Sequence, residues 1–236
     1  MATKSEVDRM ADVYAGYAET GAGSGRWSRS NPGNRAMVEQ RRRILREMLD
    51  QRGFLPLRGR KVLEVGCGLG EELASLTEWG ADPADLCGID LLPERLAEAR
   101  TRFPEIRFEQ ANGEKIQFAD SSFDLVLAVT LFTSILDPGM AANVAHEISR
   151  VLKPGGAVVW YDFRYDNPQN RNVRGLGQQE VEALFPGHAA SLRTVTLLPP
   201  IGRRLGPATG LLYPLLSAFP PLRSHLIGLL VKPDRG

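Results

Sequence analysis

The stretch VLEVGCGLGEELASL, residues 62–76, decides the fold. A short apolar run suited to a strand meets three glycines spaced GxGxG, and an acidic pair then opens a helical pattern. Glycines at such a turn let the backbone bend tightly and approach a ligand closely. In an open α/β sheet, ligands bind beyond the carboxyl ends of the strands, which puts Gly66, Gly68 and Gly70 at the ligand. Charge narrows the choice of ligand. A pyrophosphate site shows GxGxxG with a helix amino terminus aimed at anionic oxygens, whereas here Glu71 stands where the last glycine would fall and Glu72 follows. The helix dipole accounts for Glu72. It does not account for Glu64, which falls within the strand, where an unpaired buried carboxylate is costly. A ligand carrying an ammonium group would supply the partner.

Outward from the loop the chain alternates. Strand patterns cover residues 61–65, 86–90, 106–110, 123–129 and 157–163, and helical ones cover 71–79, 93–102 and 141–152. Residues 123–129 are almost unbroken in apolar character, as a central parallel strand covered on both faces requires. This alternation implies right-handed βαβ crossovers and a Rossmann-like, doubly wound, mostly parallel α/β sheet. Residues 191–198 and 225–231 add two strands, the natural origin of an antiparallel C-terminal edge strand. Upstream, Asn34 is a candidate cap for a helix through AMVEQRRRILREMLD, with Gly53 as its stop. Residues 1–57 form an N-terminal helical segment over the site, and 58–236 a single globular domain.

Composition excludes several classes. Lys and Arg (29) nearly balance Asp and Glu (28), so no whole-molecule field draws the chain to nucleic acid or anionic membrane. The segments RRR at 41–43 and RR at 203–204 read as solvated faces. Cys67 and Cys87 lie in apolar strand-like segments with no CxxC pair or metal-ligand spacing, so they are buried thiols and no metal is implied. The start MATKSEVDRM lacks the apolar core of a signal peptide, and no apolar run reaches bilayer length, so the expectation is a cytoplasmic protein without stable membrane insertion.

About twenty residues beyond the loop, LCGID ends in Asp90, placed to accept from both ribose hydroxyls. Ribose plus an ammonium, without phosphate, describes S-adenosylmethionine. The series VLEVGCGLG, GIDLLPERLAEAR, IRFEQANGEKIQFADSSFDLVLA and EISRVLKPGGAVVWYDF, in that order over residues 58–165, resembles a class I S-adenosylmethionine-dependent methyltransferase, most closely the small-molecule branch called type 11. The resemblance implies that Glu64 and the Gly66, Gly68 and Gly70 loop hold the methionine portion, with Asp90 on the ribose. It implies further that Leu91 packs on adenine, Asn112 and the Gly113 backbone read its amino edge, and Thr130 faces the methionine end. Asn112 departs from the more usual aspartate. Tyr17 is expected to close over the cofactor from the N-terminal segment, and Tyr14 shares its helix.

For the acceptor, WYDFRYDNPQNRNVRG (160–175) follows the fifth strand beside the cofactor. It offers Asp162 as a general base, with Tyr161, Arg164, Tyr165 and Asn167 shaping a pocket and Trp27 joining from upstream. The opposing reading is a loop that orders itself through Asn and Asp turns. His146, His188 and His225 each read as structural. DNPQN is not the NPPY motif of adenine-amino methyltransferases, which belongs after the fourth strand where this chain has TLFTS, so a nucleic-acid acceptor is not expected. Residues 210–222, GLLYPLLSAFPPL, are apolar nearly all round and too short to span a bilayer. They are expected as a helix buried on the sheet or at a homodimer interface, with a wall of a lipophilic acceptor pocket as the other reading. The functional expectation is methyl transfer to a small molecule at a hydroxyl oxygen. Nitrogen or carbon transfer, a non-catalytic S-adenosylmethionine-binding module and, remotely, a nicotinamide oxidoreductase are the alternatives.

Overall fold

The computed structural model describes residues 5–19 and 28–234. Its strands are the apolar runs of the sequence: β1 (Val62–Val65), β2 (Leu86–Asp90), β3 (Arg107–Gln110), β4 (Phe123–Val129), β5 (Leu152–Phe163), β6 (Ala189–Leu197) and β7 (Arg223–Val231). They form one sheet in the order β3-β2-β1-β4-β5-β7-β6. The first five strands are parallel, while β7 runs antiparallel to both of its neighbours. The C-terminal antiparallel strand therefore sits one place in from the rim, and β6 is outermost. The strand order reverses between β1 and β4, and that switch point opens a cleft at the carboxyl ends of the strands.

The helices are α1 (Glu6–Glu19), α2 (Pro32–Gln51), α3 (Glu71–Ala74), α4 (Pro93–Arg102), α5 (Pro138–Val151), α6 (Gln178–Leu184), α7 (Pro199–Arg204) and α8 (Thr209–Ser217). Two apolar layers form, one on each sheet face. One gathers Leu63, Val65, Val126, Trp160 and the α5 residues Val144 and Ile148. The other gathers Val62, Leu125, Val159 and the α2 residues Leu45 and Leu49. Helix α2 thus shares a core with the sheet, and its neighbours Phe54 and Leu57 are buried in the same layer. No described helix is long and apolar enough to cross a membrane.

Three local expectations shift. Helix α2 is capped by Asn31, not Asn34: the Asn31 side chain accepts from the N–H groups of Gly33 and Asn34, and Pro32 fixes the first turn. Asn34 is buried inside that first turn. The helix expected over 71–79 is α-helical only to Ala74 and then tightens to a 3-10 turn through Trp79. There the hydroxyls of Ser75 and Thr77 donate back to the carbonyls of Glu72 and Ala74. Third, the apolar segment 210–222 is buried on one side alone. Tyr213 and Leu216 pack with Leu197 of β6 and Met37 of α2, as expected, while Leu211 (71% exposed) and Leu215 (57%) of α8, and Phe219 (62%) just after it, face outward.

The glycine loop rests on close packing beneath it. A side chain at Gly88 on β2 would stand 2.7 Å from Cys67 Sγ and 2.8 Å from the Phe108 ring, both buried. Gly88→Val should therefore destabilise the protein by about 2 kcal/mol through overpacking and weaken ligand binding at the loop above. A lowered Tm, with an affinity loss for S-adenosylhomocysteine in calorimetric titration, checks this.

Candidate functional site

The loop after β1 has the conformation its glycines allow. Gly66, Gly68 and Gly70 have φ of +72°, +54° and +75°, the left-handed region that other residues adopt only under strain. The Gly66 and Cys67 N–H groups bond the Ile89 carbonyl, which ties the loop to the end of β2. Asp90 closes that strand and is 6% exposed. One of its oxygens accepts from the Gly68 N–H at 2.8 Å and the other from the Leu92 N–H at 3.0 Å, so the carboxylate is held rigidly. Each oxygen retains a lone pair for a ligand hydroxyl. Thr130, just past β4, also has positive φ (+51°), backbone strain of the sort concentrated at ligand sites. It is pinned by its N–H to the Tyr161 carbonyl at 2.7 Å.

These ends border the cleft. Of the residues expected for the cofactor, Gly66, Asp90, Leu91, Gly113 and Thr130 line it. An apolar slot of Ile89, Ala111, Met140 and Val144 continues from Leu91 and Gly113, and α1 closes the far side with Met10 and Tyr14. The Tyr14 hydroxyl lies 3.1 Å from Ser134 Oγ, and Arg9 donates to the Ser134 carbonyl at 2.6 Å. The Arg95 guanidinium stacks over the Tyr14 ring at 5.0 Å and fills the space beside Gly68. Arg95 was not anticipated; its signal was its place one turn into the helix after Asp90. Tyr17 does not line the cleft. It packs edge-on against Tyr14 and accepts from Asn170.

Glu64 lies beneath the loop, on the face opposite Leu63 and Val65. It is 3% exposed, and its Oε2 has no hydrogen-bond partner among the described residues. Burial first, then the nearby Glu72, pushes its carboxyl well above the ordinary glutamate range, against the pull of Arg41 and the Leu73 N–H. Arg41 reaches in from α2, pairs with Glu72 and covers the Tyr161 ring at 4.9 Å. In this cluster Glu64 Oε2, Glu72 Oε1 and Arg41 Nε all lack a hydrogen-bond partner among the described residues. A ligand ammonium would supply a partner to such a carboxylate oxygen.

Several expected residues are elsewhere. Asn112 is not at the cleft: its Oδ1 accepts from the Glu114 N–H at 2.9 Å, an Asx turn that leaves only the Gly113 backbone facing the slot. Asp162 is 0% exposed, and no general base can act from there. It accepts from the N–H groups of Thr133 (3.0 Å) and Phe163 (2.9 Å), fastening the turn after β4 to β5, and burial pushes its carboxyl up to about 7. Tyr161 points to the opposite sheet face. It is stacked on His225 at 4.6 Å and bonded to Thr196, so it shapes no open pocket. Arg164 leans on the Tyr165 ring and contacts the Pro220 carbonyl, while the Asn167 side chain caps its own turn at the Gln169 N–H. The 160–175 segment is therefore largely self-ordered, and none of Arg164, Tyr165 and Asn167 lines the cleft. Trp27 lies outside the described residues. His225 is buried and held neutral, its imidazole depressed to about 3 by burial and Arg41.

With this geometry the comparisons with known proteins agree. Residues 62–156 match the family described as Methyltransferase domain. The chain is 32% identical over 137 residues to the phthiotriol/phenolphthiotriol dimycocerosates methyltransferase of Mycobacterium leprae, covering 54% of this chain and 49% of that protein. It is 28% identical over 167 residues to an O-methyltransferase of Penicillium expansum, covering 68% and 56%. An S-adenosylmethionine-dependent methyltransferase structure from Mesorhizobium loti superposes with a TM-score of 0.60 at 20% identity over 80% of this chain and 96% of the other. The chain is similar to the class I S-adenosylmethionine-dependent methyltransferases, with the family match over residues 62–156. It spans about half the length of these two relatives. S-adenosylmethionine is the cofactor of that class: Asp90 and the slot from Leu91 to Val144 lie in the cleft where its ribose and adenine would sit, whereas Glu64, the candidate for its ammonium, Gly68 and Gly70 are not among the cleft's lining residues.

Because burial raises the Glu64 carboxyl above its ordinary range, an ammonium seated beside it should pull that titration back down. Affinity for S-adenosylhomocysteine should therefore rise with pH through the Glu64 titration, and calorimetry in buffers of differing ionisation enthalpy should show proton release there. Glu64→Gln should abolish that release and weaken binding by about tenfold, the equivalent of one charge-assisted hydrogen bond.

Proposed function

We propose that this protein transfers the methyl group of S-adenosylmethionine to a hydroxyl oxygen of a small molecule. The observation that carries the reading is the orphaned Glu64 oxygen beneath a glycine loop, with Asp90 fixed at the end of the next strand. When bound, S-adenosylmethionine supplies an electrophilic methyl on a sulfonium. The chain supplies position. Glu64 and Asp90 grip the two ends of the cofactor, and Thr130 and Leu131 border the cleft beyond β4, where an acceptor would approach. Holding two reactants in near-attack geometry can lower the barrier by ~7–11 kcal/mol, enough to carry much of a methyl transfer.

Among the described residues the cleft lining includes no histidine, and the one carboxylate there is Asp90, already engaged by two N–H groups. An acceptor that ionises easily, such as a phenolic or enolic hydroxyl, suits such a site, since it needs no strong base. A small acceptor also suits a cleft roofed by Met10 and Tyr14 of α1. The name of one relative, an O-methyltransferase, supports oxygen as the target.

The test is to incubate the protein with S-adenosylmethionine carrying an isotope-labelled methyl and a panel of phenols, enols, amines and carbon acids. The expected product carries the label as an O-methyl carbon by NMR, and Asp90→Ala reduces its formation by at least about a hundredfold through lost cofactor positioning. Label found only on nitrogen or carbon would overturn the oxygen assignment. Absence of product together with unaltered S-adenosylhomocysteine binding would favour a non-catalytic binding module.

A further inference from the structure

Residues 183–233 contain no Asp or Glu and five Lys or Arg, in a chain whose net charge is only +1. Within this acid-free stretch lie α7 and α8, inserted between the carboxyl end of β6 and the start of β7. Their place in the fold is fixed by register: His225 at the start of β7 pairs with Phe163 at the end of β5. The insertion therefore stands at the carboxyl end of the sheet, the end that holds the cofactor cleft.

Helix α8 carries apolar side chains on both sides. Its inward face mixes apolar packing, with the Tyr213 ring and Leu216 against Met37 and Leu197, and satisfied hydroxyls: Thr209 donates to the Gly206 carbonyl, Ser217 to the Pro214 carbonyl, and the Tyr213 hydroxyl to Gln40 on α2. Its outward face carries Leu211 and Leu215 four residues apart, and Phe219 another four residues on. Scattered exposed leucines need no explanation. A row of three large apolar side chains, Leu211, Leu215 and Phe219, all more than half exposed along one side, is different, because such a row is unfavourable in water and favourable beside an apolar medium.

The rim of this stripe is cationic. Arg164 reaches the Pro220 carbonyl just after α8, Arg223 bonds the Ser217 and Ala218 carbonyls at its end, and Arg204 closes α7, exposed. None of these three forms an ion pair with a carboxylate among the described residues. Asp166, nearby in sequence, is turned onto the Gly175 N–H. An outward apolar helix face with an arginine rim is the pattern of an element lying in a membrane interface, its leucines and phenylalanine among acyl chains and its guanidinium groups at anionic headgroups. A second copy of the chain fits less well, since a two-fold contact would set this basic rim against itself.

We propose that α8 docks the protein peripherally on an anionic lipid bilayer, with the cofactor cleft at the docked end, so that a membrane-partitioned acceptor can reach it. Docking itself is independent of which atom accepts the methyl group. The experiment is co-sedimentation of the full chain with phosphatidylcholine vesicles, with and without phosphatidylglycerol, at low and high salt. Binding to the phosphatidylglycerol vesicles, weakened by salt, is expected. Leu215→Glu and Phe219→Glu should each reduce the partition coefficient by about tenfold, and Arg204→Glu should remove much of the preference for anionic lipid. These side chains are exposed, so S-adenosylhomocysteine affinity, titrated on the same variants, should stay within about threefold as the measure of an intact fold. Three results would overturn the proposal: no binding to anionic vesicles, binding unaffected by the α8 substitutions, or a dimer of the parent chain that Leu215→Glu dissociates. The last would assign the stripe to contact between copies.

Discussion

Burial of Glu64 at the end of β1 is the constraint on which the site depends. A carboxylate placed in a strand covered on both faces must be neutralised, paired or liganded. Arg41 answers part of that demand from α2, and in doing so it draws α2 against the sheet, pairs with Glu72 at the start of α3 and covers Tyr161. Glu64 Oε2 is left without a hydrogen-bond partner among the described residues, in the strand that leads into the glycine loop. The same buried charge links the packing of the N-terminal helix, the start of α3 and cofactor selectivity. It also explains why the loop suits an ammonium-bearing adenosyl compound and not a pyrophosphate.

Much of this was legible in the sequence because the informative residues were short-range. The strand, the GxGxG turn and Asp90 are read within single segments, and their order alone defines the doubly wound sheet. What escaped the sequence depends on direction in space. In WYDFRY the strand period sends Trp160 and Asp162 to one face and Tyr161 to the other, and only neighbouring elements decide which of them meets a cavity. Neither does: Asp162 is consumed by N–H groups of the turn after β4, and Tyr161 by the cluster under α2. Tyr14 and Tyr17 lie three residues apart on one helix, so sequence alone could not choose between them, and it is Tyr14 that reaches the cleft. For 210–222 the sequence displayed apolar character but not which side of α8 faces outward, because the packing partners of Tyr213 and Leu216 belong to α2 and β6.

The structure divides its labour along the sheet. The β1–β2–β4 ends form the cleft, and the β5–β7–β6 side carries the self-ordered 160–175 segment, the buried Tyr161–His225 stack and the outward apolar side of α8. Similarity to known methyltransferases follows the same division, since the matched family region ends at residue 156, inside β5.

The central claim is that Glu64 is the partner of the cofactor's ammonium group. A crystal structure of the complex with S-adenosylhomocysteine tests it directly. The account predicts the ligand ammonium within hydrogen-bond distance of Glu64 Oε2, about 3 Å, with both ribose hydroxyls on Asp90. An ammonium bound elsewhere, with Glu64 Oε2 still unpartnered beneath the loop, would contradict it.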